Sequence, residues 1–383
     1  MYPCVVCKGR RCKEYFGVEF CPLKAKQRLK SRVAPKDSFV EPIRVPFVGR
    51  DGYPNVRSGI VTGSDDHDER FDAEVERRMG TLSIRRDSEV KRPESVFQAV
   101  ALADRAYDMD VRIERPRISP TFEPGTPPSG GSARLRSLRE SEHMREDPFA
   151  GKIASDRDLK ARDAMVELSG RFGEERISQI LSTGAIGVGE RRKQVPTRWS
   201  ITAADSALSD ADRRELLRET IPSYELRIGS HFGNVFYVML LPGPLAYELI
   251  ELHVSSGSVM TDFETPRGRK DYAEETAGGY YAVRRAVIEH LRSRECEAQV
   301  LALRLITDDY SVPLGVWVVR EAARAALSAS AITFDSEARL YAFVTEHAKR
   351  RYGAQLLELL SGSALRSYRS SQRTLDGYPG AGR

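Results

Sequence analysis

Apolar and polar residues follow several different rhythms along this chain, and each change of rhythm marks an element. Between residues 224 and 306 the apolar side chains come in short runs rich in β-branched and aromatic residues, Tyr224–Ile228, Asn234–Leu241, Ala246–Val254 and Gln299–Ile306. Runs of this length and composition predict strands. The connections among the first three are short, and a parallel partner requires a crossover of about a dozen residues or more, so antiparallel pairing is predicted. Elsewhere the apolar residues recur at helical spacing. Val96, Phe97, Val100, Ala101 and Ala103 give an apolar face to a helix over Pro93–Tyr107, and similar spacing predicts helices over Asp156–Ser169, Glu174–Ser182 and Tyr280–Arg294. Ser209, followed by Asp210, Ala211 and Asp212, reads as a capping residue with an acidic first turn, which opens a further helix there. Gly315–Leu327, Glu337–Arg350 and Ala354–Leu360 read as closing helices. The pattern predicts an α+β fold, a mostly antiparallel sheet with flanking helices.

The rhythm breaks in two places. Residues 31–65 are rich in Pro, Gly and charge, and between Arg115 and Phe149 regular structure fades into SPTFEPGTPPSGG, residues 119–131, with the composition of a linker or wrapping arm. Four regions result: a cysteine-bearing segment over 1–30, a loop-rich region with one main helix and the linker over 31–150, an α+β domain over 151–365, and a tail over 366–383. No internal repeat is present.

Composition narrows the class. With 383 residues, 40% hydrophobic and 30% charged, the chain is long enough for about two domains and too apolar to be disordered throughout. Its longest candidate apolar run, Val235–Leu241, falls far short of the ~20 residues that span a bilayer. The segment Met1-Tyr2-Pro3-Cys4 is not a basic stretch followed by an apolar one, so a cytoplasmic protein without a membrane partner is expected. A formal charge of +5 is modest, but Lys and Arg crowd into Lys8–Arg32, Arg134–Arg145 and Arg191–Arg198.

Candidate chemistry begins with Cys4, Cys7, Cys12 and Cys21, spaced C-x2-C-x4-C-x8-C. The close pair lets two thiolates bite one ion, and two more complete the tetrahedral S4 set that Zn2+ prefers. Four thiolates also hold an iron–sulfur cluster, which is the alternative. Lys8, Arg10, Arg11 and Lys13 lie within the knuckle and offset its charge, while Cys296 is left over as a structural residue.

The run Gly184-Ala185-Ile186-Gly187-Val188-Gly189 leaves a helix and lacks a Gly-Lys-Ser/Thr ending, so it reads as a helix exit and not as a phosphate loop. It leads into Arg191, Arg192, Lys193 and Arg198, a candidate nucleic-acid surface, because Arg and Lys pair with phosphate. Trp199 has the chemistry to stack on a base but is expected in the core. The histidines, His67, His143, His231, His253, His290 and His347, form no ligand or triad pattern. Acidic candidates are Asp65, Asp66 and Asp68, then Asp262 with Glu264, whose alternation puts both carboxylates on one face, then Asp308 with Asp309. Paired carboxylates could hold Mg2+ for phosphodiester cleavage, yet no catalytic signature accompanies them.

Five blocks in order carry a resemblance along nearly the whole chain: the cysteine knuckle, PFVGRDGYPNV (46–56), VPTRWSITA (195–203), GGYYAVRRA (278–286) and PLGVWVVREAAR (313–324). Together they resemble the archaeal Nre family of DNA repair proteins. The resemblance implies a role in DNA damage repair and contact with the replicative sliding clamp, PCNA, through a C-terminal peptide. Cys4, Cys7, Cys12 and Cys21 match the family's zinc-binding knuckle, and Gln372, Leu375 and Tyr378 match its clamp-binding pattern, with Pro379 where a second aromatic usually stands. Leu375 and Tyr378, three apart, would meet on one side of a single 3₁₀ turn. The function expected is a DNA damage repair factor tethered to the clamp, with a structural zinc and contact with DNA. The alternatives are a metal-dependent nuclease acting on damaged or branched DNA through Asp262, Glu264 or Asp308, and a non-catalytic interaction scaffold.

Overall fold

The computed structural model describes residues 38–43, 46–50, 53, 56, 58–61, 70–85, 95–123, 126–140, 143–216 and 219–371. Its chain divides into two compact units, Met1–Ala211 with Ser311–Leu314, and Asp212–Tyr310 with Gly315–Arg383.

The first unit is built on a six-stranded sheet. Its strands are β1 (Ser38–Ile43), β2 (Pro46–Val48), β3 (Ser58–Val61), β4 (Ser83–Arg85), β5 (Tyr107–Glu123) and β6 (Thr126–Glu140), in the order β1-β5-β6-β4-β3-β2. Helix α1 (Phe71–Gly80) connects β3 to β4, and α2 (Ser95–Leu102) precedes β5. Phe97 and Val100 of α2 pack with Met109, Val111, Ile113, Ala133 and Leu135, the inward residues of the two long strands. The stretch expected to be an irregular linker, 119–131, is instead the distal part of the β5–β6 hairpin. Its prolines and glycines are accommodated by repeated register shifts, one of which places Arg115 at φ 50°. A bundle of helices forms a further core: α3 (Pro148–Ser155), α4 (Ala161–Leu168), α5 (Glu174–Ser182) and the middle of α6 (Thr197–Arg214), with Ala101 and Leu102 of α2. Asp147 caps α3 by accepting from the amides of Phe149 and Ala150. Ser209 does not open a helix: it lies buried inside α6, which begins twelve residues earlier (209 − 197) and holds 18 residues.

The second unit centres on strands β7 (Tyr224–His231), β8 (Asn234–Leu241), β9 (Tyr247–His253), β10 (Val259–Glu264), β11 (Gln299–Ile306) and β12 (Ile332–Phe334), ordered β10-β9-β11-β8-β7-β12. Every residue of β8 and β11 is buried, as expected for largely apolar strands covered on both faces; the exceptions in polarity are Asn234, Gln299 and Arg304, and Arg304 donates to Asn234 and Glu251. Alternation splits the two strands between two cores. Phe236, Val238 and Leu240 pack with α7 (Ala277–Ser293) and α8 (Val316–Ser328). Tyr237, Met239 and Leu241 pack with α9 (Glu337–Tyr352), α10 (Leu357–Ser361) and α11 (Ala364–Ser371) on the other side.

The α+β class holds, but the expectation of a mostly antiparallel sheet gives way to two mixed ones. β11 lies parallel to β9, and β4 parallel to β6. Short connections predicted antiparallel pairing only for neighbours in sequence. The chain between β9 and β11 contains β10 and α7, which is long enough for a parallel return. Among the described residues no helix is long and apolar enough to cross a membrane.

Candidate nucleic-acid interface

Two of the distinctive sequence blocks meet in the first unit. The amide of Val48, at the end of β2, donates to Thr197 Oγ1 at 2.8 Å, and that hydroxyl lies 3.1 Å from Ser182 Oγ of α5. Ser182 Oγ also donates to the Val195 carbonyl, whose residue returns its own amide to the Ser182 carbonyl at 2.9 Å. The Thr197 hydroxyl is thus fixed from two sides, by Val48 and by Ser182, at the point where α6 starts. The Pro196 carbonyl then accepts from the amides of Trp199 and Ser200, closing the first turn.

This anchored turn presents Trp199 outward. The indole is 46% exposed, which corrects its expected place in the core. Tyr53, 37% exposed and from the other block, meets it edge to face with ring centroids 5.0 Å apart. Lys193 Nζ lies 5.1 Å from the Tyr53 ring centroid, within cation–π reach. Arg198, beside the indole in sequence, and Arg191 are exposed as well. Gln194, next to Lys193 in the chain, is buried, and its side-chain amide has no hydrogen-bond partner among the described residues. The arrangement can hold a planar ring against an indole face with cations at hand for a phosphate. Sequence reasoning missed Tyr53; the available signal was an aromatic set between turn-forming Gly52 and Pro54, where no core periodicity calls for one.

Arg192 belongs elsewhere, although its sequence neighbours suggest the same surface. Its guanidinium donates to the carbonyls of Gly187, Ala154, Ala185 and Asp156. Burial lowers its pKa, with nearby Arg157 acting in the same direction and Asp156 opposing them. The glycine-rich run therefore wraps around Arg192. Ala185 and Ile186 are buried within it, and Gly187 at φ 115° supplies a turn that other residues rarely adopt. The run is a packed helix exit.

The acidic pair of β10 is buried, with both carboxylates on one face, and occupied by arginines. Asp262 Oδ2 accepts from the Thr276 amide and hydroxyl, both at 2.8 Å, and Oδ1 lies 2.9 Å from Arg269. Glu264 Oε1 lies 2.8 Å from Arg284 Nε and 3.5 Å from Arg213. Arg284 comes from the GGYYAVRRA block, whose Tyr280 is buried and has its hydroxyl pKa raised by burial and by the Glu264 charge. Asp308 and Asp309 are exposed at the end of β11. Among the described residues no three His, Cys, Asp or Glu side chains converge to hold a metal. Cys4, Cys7, Cys12 and Cys21, the Asp65–Asp68 loop, and Gln372, Leu375 and Tyr378 lie outside the described residues.

Comparison with known proteins agrees along the chain. A family model described as archaeal Nre, N-terminal, matches residues 16–259, and one described as archaeal Nre, C-terminal, matches residues 264–378. A protein named DNA repair protein NreA from Haloferax volcanii is 34% identical over 334 residues, covering 76% of this chain and 79% of its own. Archaeoglobus fulgidus has an NreA that is 31% identical, over 87% of this chain and 90% of its own. Its NreB is also 31% identical, over 91% of this chain and 94% of its own. No solved structure matches. With both family models matched in order and these relatives aligned over most of their length, the chain belongs to the archaeal Nre family of DNA repair proteins.

Proposed function

We propose that this protein is a DNA damage repair factor that holds unpaired DNA against Trp199 and Tyr53 and is brought to its substrate by the sliding clamp PCNA. The observation that carries the DNA contact is the outward Trp199 on an anchored helix start, edge-on to Tyr53 with Lys193 over that ring. Base stacking on an exposed indole tolerates any sequence, which suits a protein that meets DNA at damage. Arg191, Lys193 and Arg198 supply the phosphate contacts of this reading. Recruitment is assigned to Gln372, Leu375 and Tyr378. Cys4, Cys7, Cys12 and Cys21 are assigned to one structural Zn2+, since four thiolates are the donor set that tetrahedral zinc takes. The arginines on Asp262 and Glu264 argue against the nuclease alternative at that pair, because each carboxylate already has a cationic partner.

The decisive measurement uses an unstructured oligothymidine and the full chain, followed by tryptophan fluorescence and anisotropy. Stacking on Trp199 quenches its emission. Trp199→Ala and Tyr53→Ala are expected to weaken binding tenfold or more, consistent with the about 1–3 kcal/mol that one stacked base contributes. Trp317→Phe, in the other unit, is the control for emission. Unchanged affinity in both ring variants would remove the interface from the proposal.

A further inference from the structure

The β5–β6 hairpin is two-faced. Met109, Val111, Ile113, Ala133 and Leu135 turn into the core, and the alternate positions turn to solvent. On that outer face stand Arg112, Arg117, Arg134 and Arg139, with Arg136 at a register shift beside them, all exposed. The register carries them across both strands: Arg117 lies opposite Ser132, Glu114 opposite Arg134, Arg112 opposite Ser137 and Asp110 opposite Arg139. Acids on this face include Asp108, Asp110 and Glu114. Two of the ion pairs are open ones: Arg112 is 4.0 Å from Asp110 with 60% of its side chain exposed, and Arg136 is 3.6 Å from Glu114 with 70% exposed. Ion pairs this open hold their partners weakly, so a polyanion can displace the acids.

The spacing and chemistry select the occupant. From the Arg117 pair to the Asp110 pair, β5 advances seven residues (117 − 110), roughly 23 Å at strand rise and close to seven base-pair steps. Arginine forks match phosphate oxygens, and Ser129, Ser132 and Ser137 add hydroxyl donors along the same strip. The outer positions from Asp108 to Arg117 and from Ser132 to Arg139 carry no aromatic residue, so this stretch suits a phosphate backbone and not the stacking of unpaired bases. We infer that the arginine-rich outer face of the β5–β6 hairpin seats the phosphate backbone of double-stranded DNA. The inference rests on reading the chain as a DNA-acting protein and adds a duplex contact to the single-strand contact at Trp199.

The test is the salt dependence of binding to an undamaged, labelled duplex of about 24 base pairs, read by anisotropy of the full chain from about 50 to 250 mM salt. Each neutralised phosphate contributes about 0.9 to the slope of log K against log salt. Arg112→Ala with Arg117→Ala, and Arg134→Ala with Arg139→Ala, are each expected to reduce the slope by about 1.8, while the corresponding lysine pairs retain it. Oligothymidine binding through Trp199 is expected to survive the alanine pairs. Three results would overturn the inference: a slope in the fourfold alanine variant equal to that of the unaltered chain, lysine pairs that lose as much as alanine pairs, or no duplex binding at the lowest salt. Loss of the Trp199 contact alone leaves the duplex slope intact, so the two readings fail separately.

Discussion

His290 shows how one side chain records the electrostatics of its surroundings. It sits half-buried on α7, with Arg227 and Arg294 near it and Glu225 bound to Arg294 at 2.8 Å through both carboxylate oxygens. Burial first, then repulsion by Arg227 and Arg294, lowers its pKa from 6.5 to about 4, with Glu225 opposing. The folded ring therefore stays neutral where the unfolded one takes up a proton. Stability from this group is fully present above pH 6.5 and is lost as pH falls toward about 4. Between pH 7.5 and 5.0 the loss is expected to be about 1–2 kcal/mol, reduced from the full linkage value because solvent reaches the ring. Urea unfolding at both pH values checks this, and His290→Gln is expected to flatten the difference. A drop of the same size in that variant would assign the effect to other groups.

At the scale of elements, legibility followed the source of each signal. β8 and β11 were readable to the residue, because Asn234–Leu241 and Gln299–Ile306 are strand-length runs dominated by apolar and β-branched residues, even with Arg304 among them. The long hairpin was not, because Pro116, Pro120, Pro127, Pro128, Gly130 and Gly131 look like a linker when its partner strand is unknown. Gly130 in particular is required by tertiary contact: a Cβ there would stand 2.0 Å from the Thr81 carbonyl oxygen. The start of α6 was equally hidden. Thr197 is secured by Val48 and Ser182, a bond across 149 residues of sequence in the first case, whereas Ser209 offered a plausible local cap with no such support. The outward Trp199 was concealed for the same reason: composition assigns indoles to cores, and only the fixed start of α6 turns this one out.

The packing of α8 on β7 gives the element-scale prediction. A Cβ on Gly229 would lie 2.5 Å from both the Cα and the amide nitrogen of Ala326, so helix backbone and strand touch here without an intervening side chain. Gly229→Ala must push α8 outward, and a destabilisation of about 1–3 kcal/mol is expected, by analogy with overpacked cores. Gly173→Ala, where the added carbon meets nothing within 4 Å, is expected to remain within about 0.5 kcal/mol of the unaltered chain. Calorimetric melting of the two variants distinguishes local overpacking from a general intolerance of substitution. Equal shifts would contradict the packing account.

For the molecule as a whole, the clamp proposal depends on how firmly the last described helix is held. Glu248 of β9 is buried and accepts from the Ala364 amide at 3.0 Å, the Leu365 amide at 2.9 Å and the Ser363 hydroxyl, so one carboxylate caps the start of α11. Near its other end Arg369 reaches Glu337 at 3.1 Å and the Pro242 carbonyl at 3.0 Å. Ser371 is therefore a fixed point on the second unit, and Tyr378, seven residues on (378 − 371), can reach at most roughly 25 Å from it. A short tether keeps the protein concentrated near whatever the clamp encircles. Ending the chain at Ser371 is expected to leave the melting temperature unchanged, because the contacts of α11 with Glu248, Glu337 and Pro242 remain. The same truncation, and the alanine triple at Gln372, Leu375 and Tyr378, should each weaken clamp binding at least tenfold in calorimetry, about 1.4 kcal/mol or more. Glu248→Ala is expected to do the opposite, lowering stability while sparing clamp affinity, since it loosens the anchor and leaves the binding residues intact. Clamp affinity that survives the triple substitution would remove the tail from the proposal, whatever the stability measurements show.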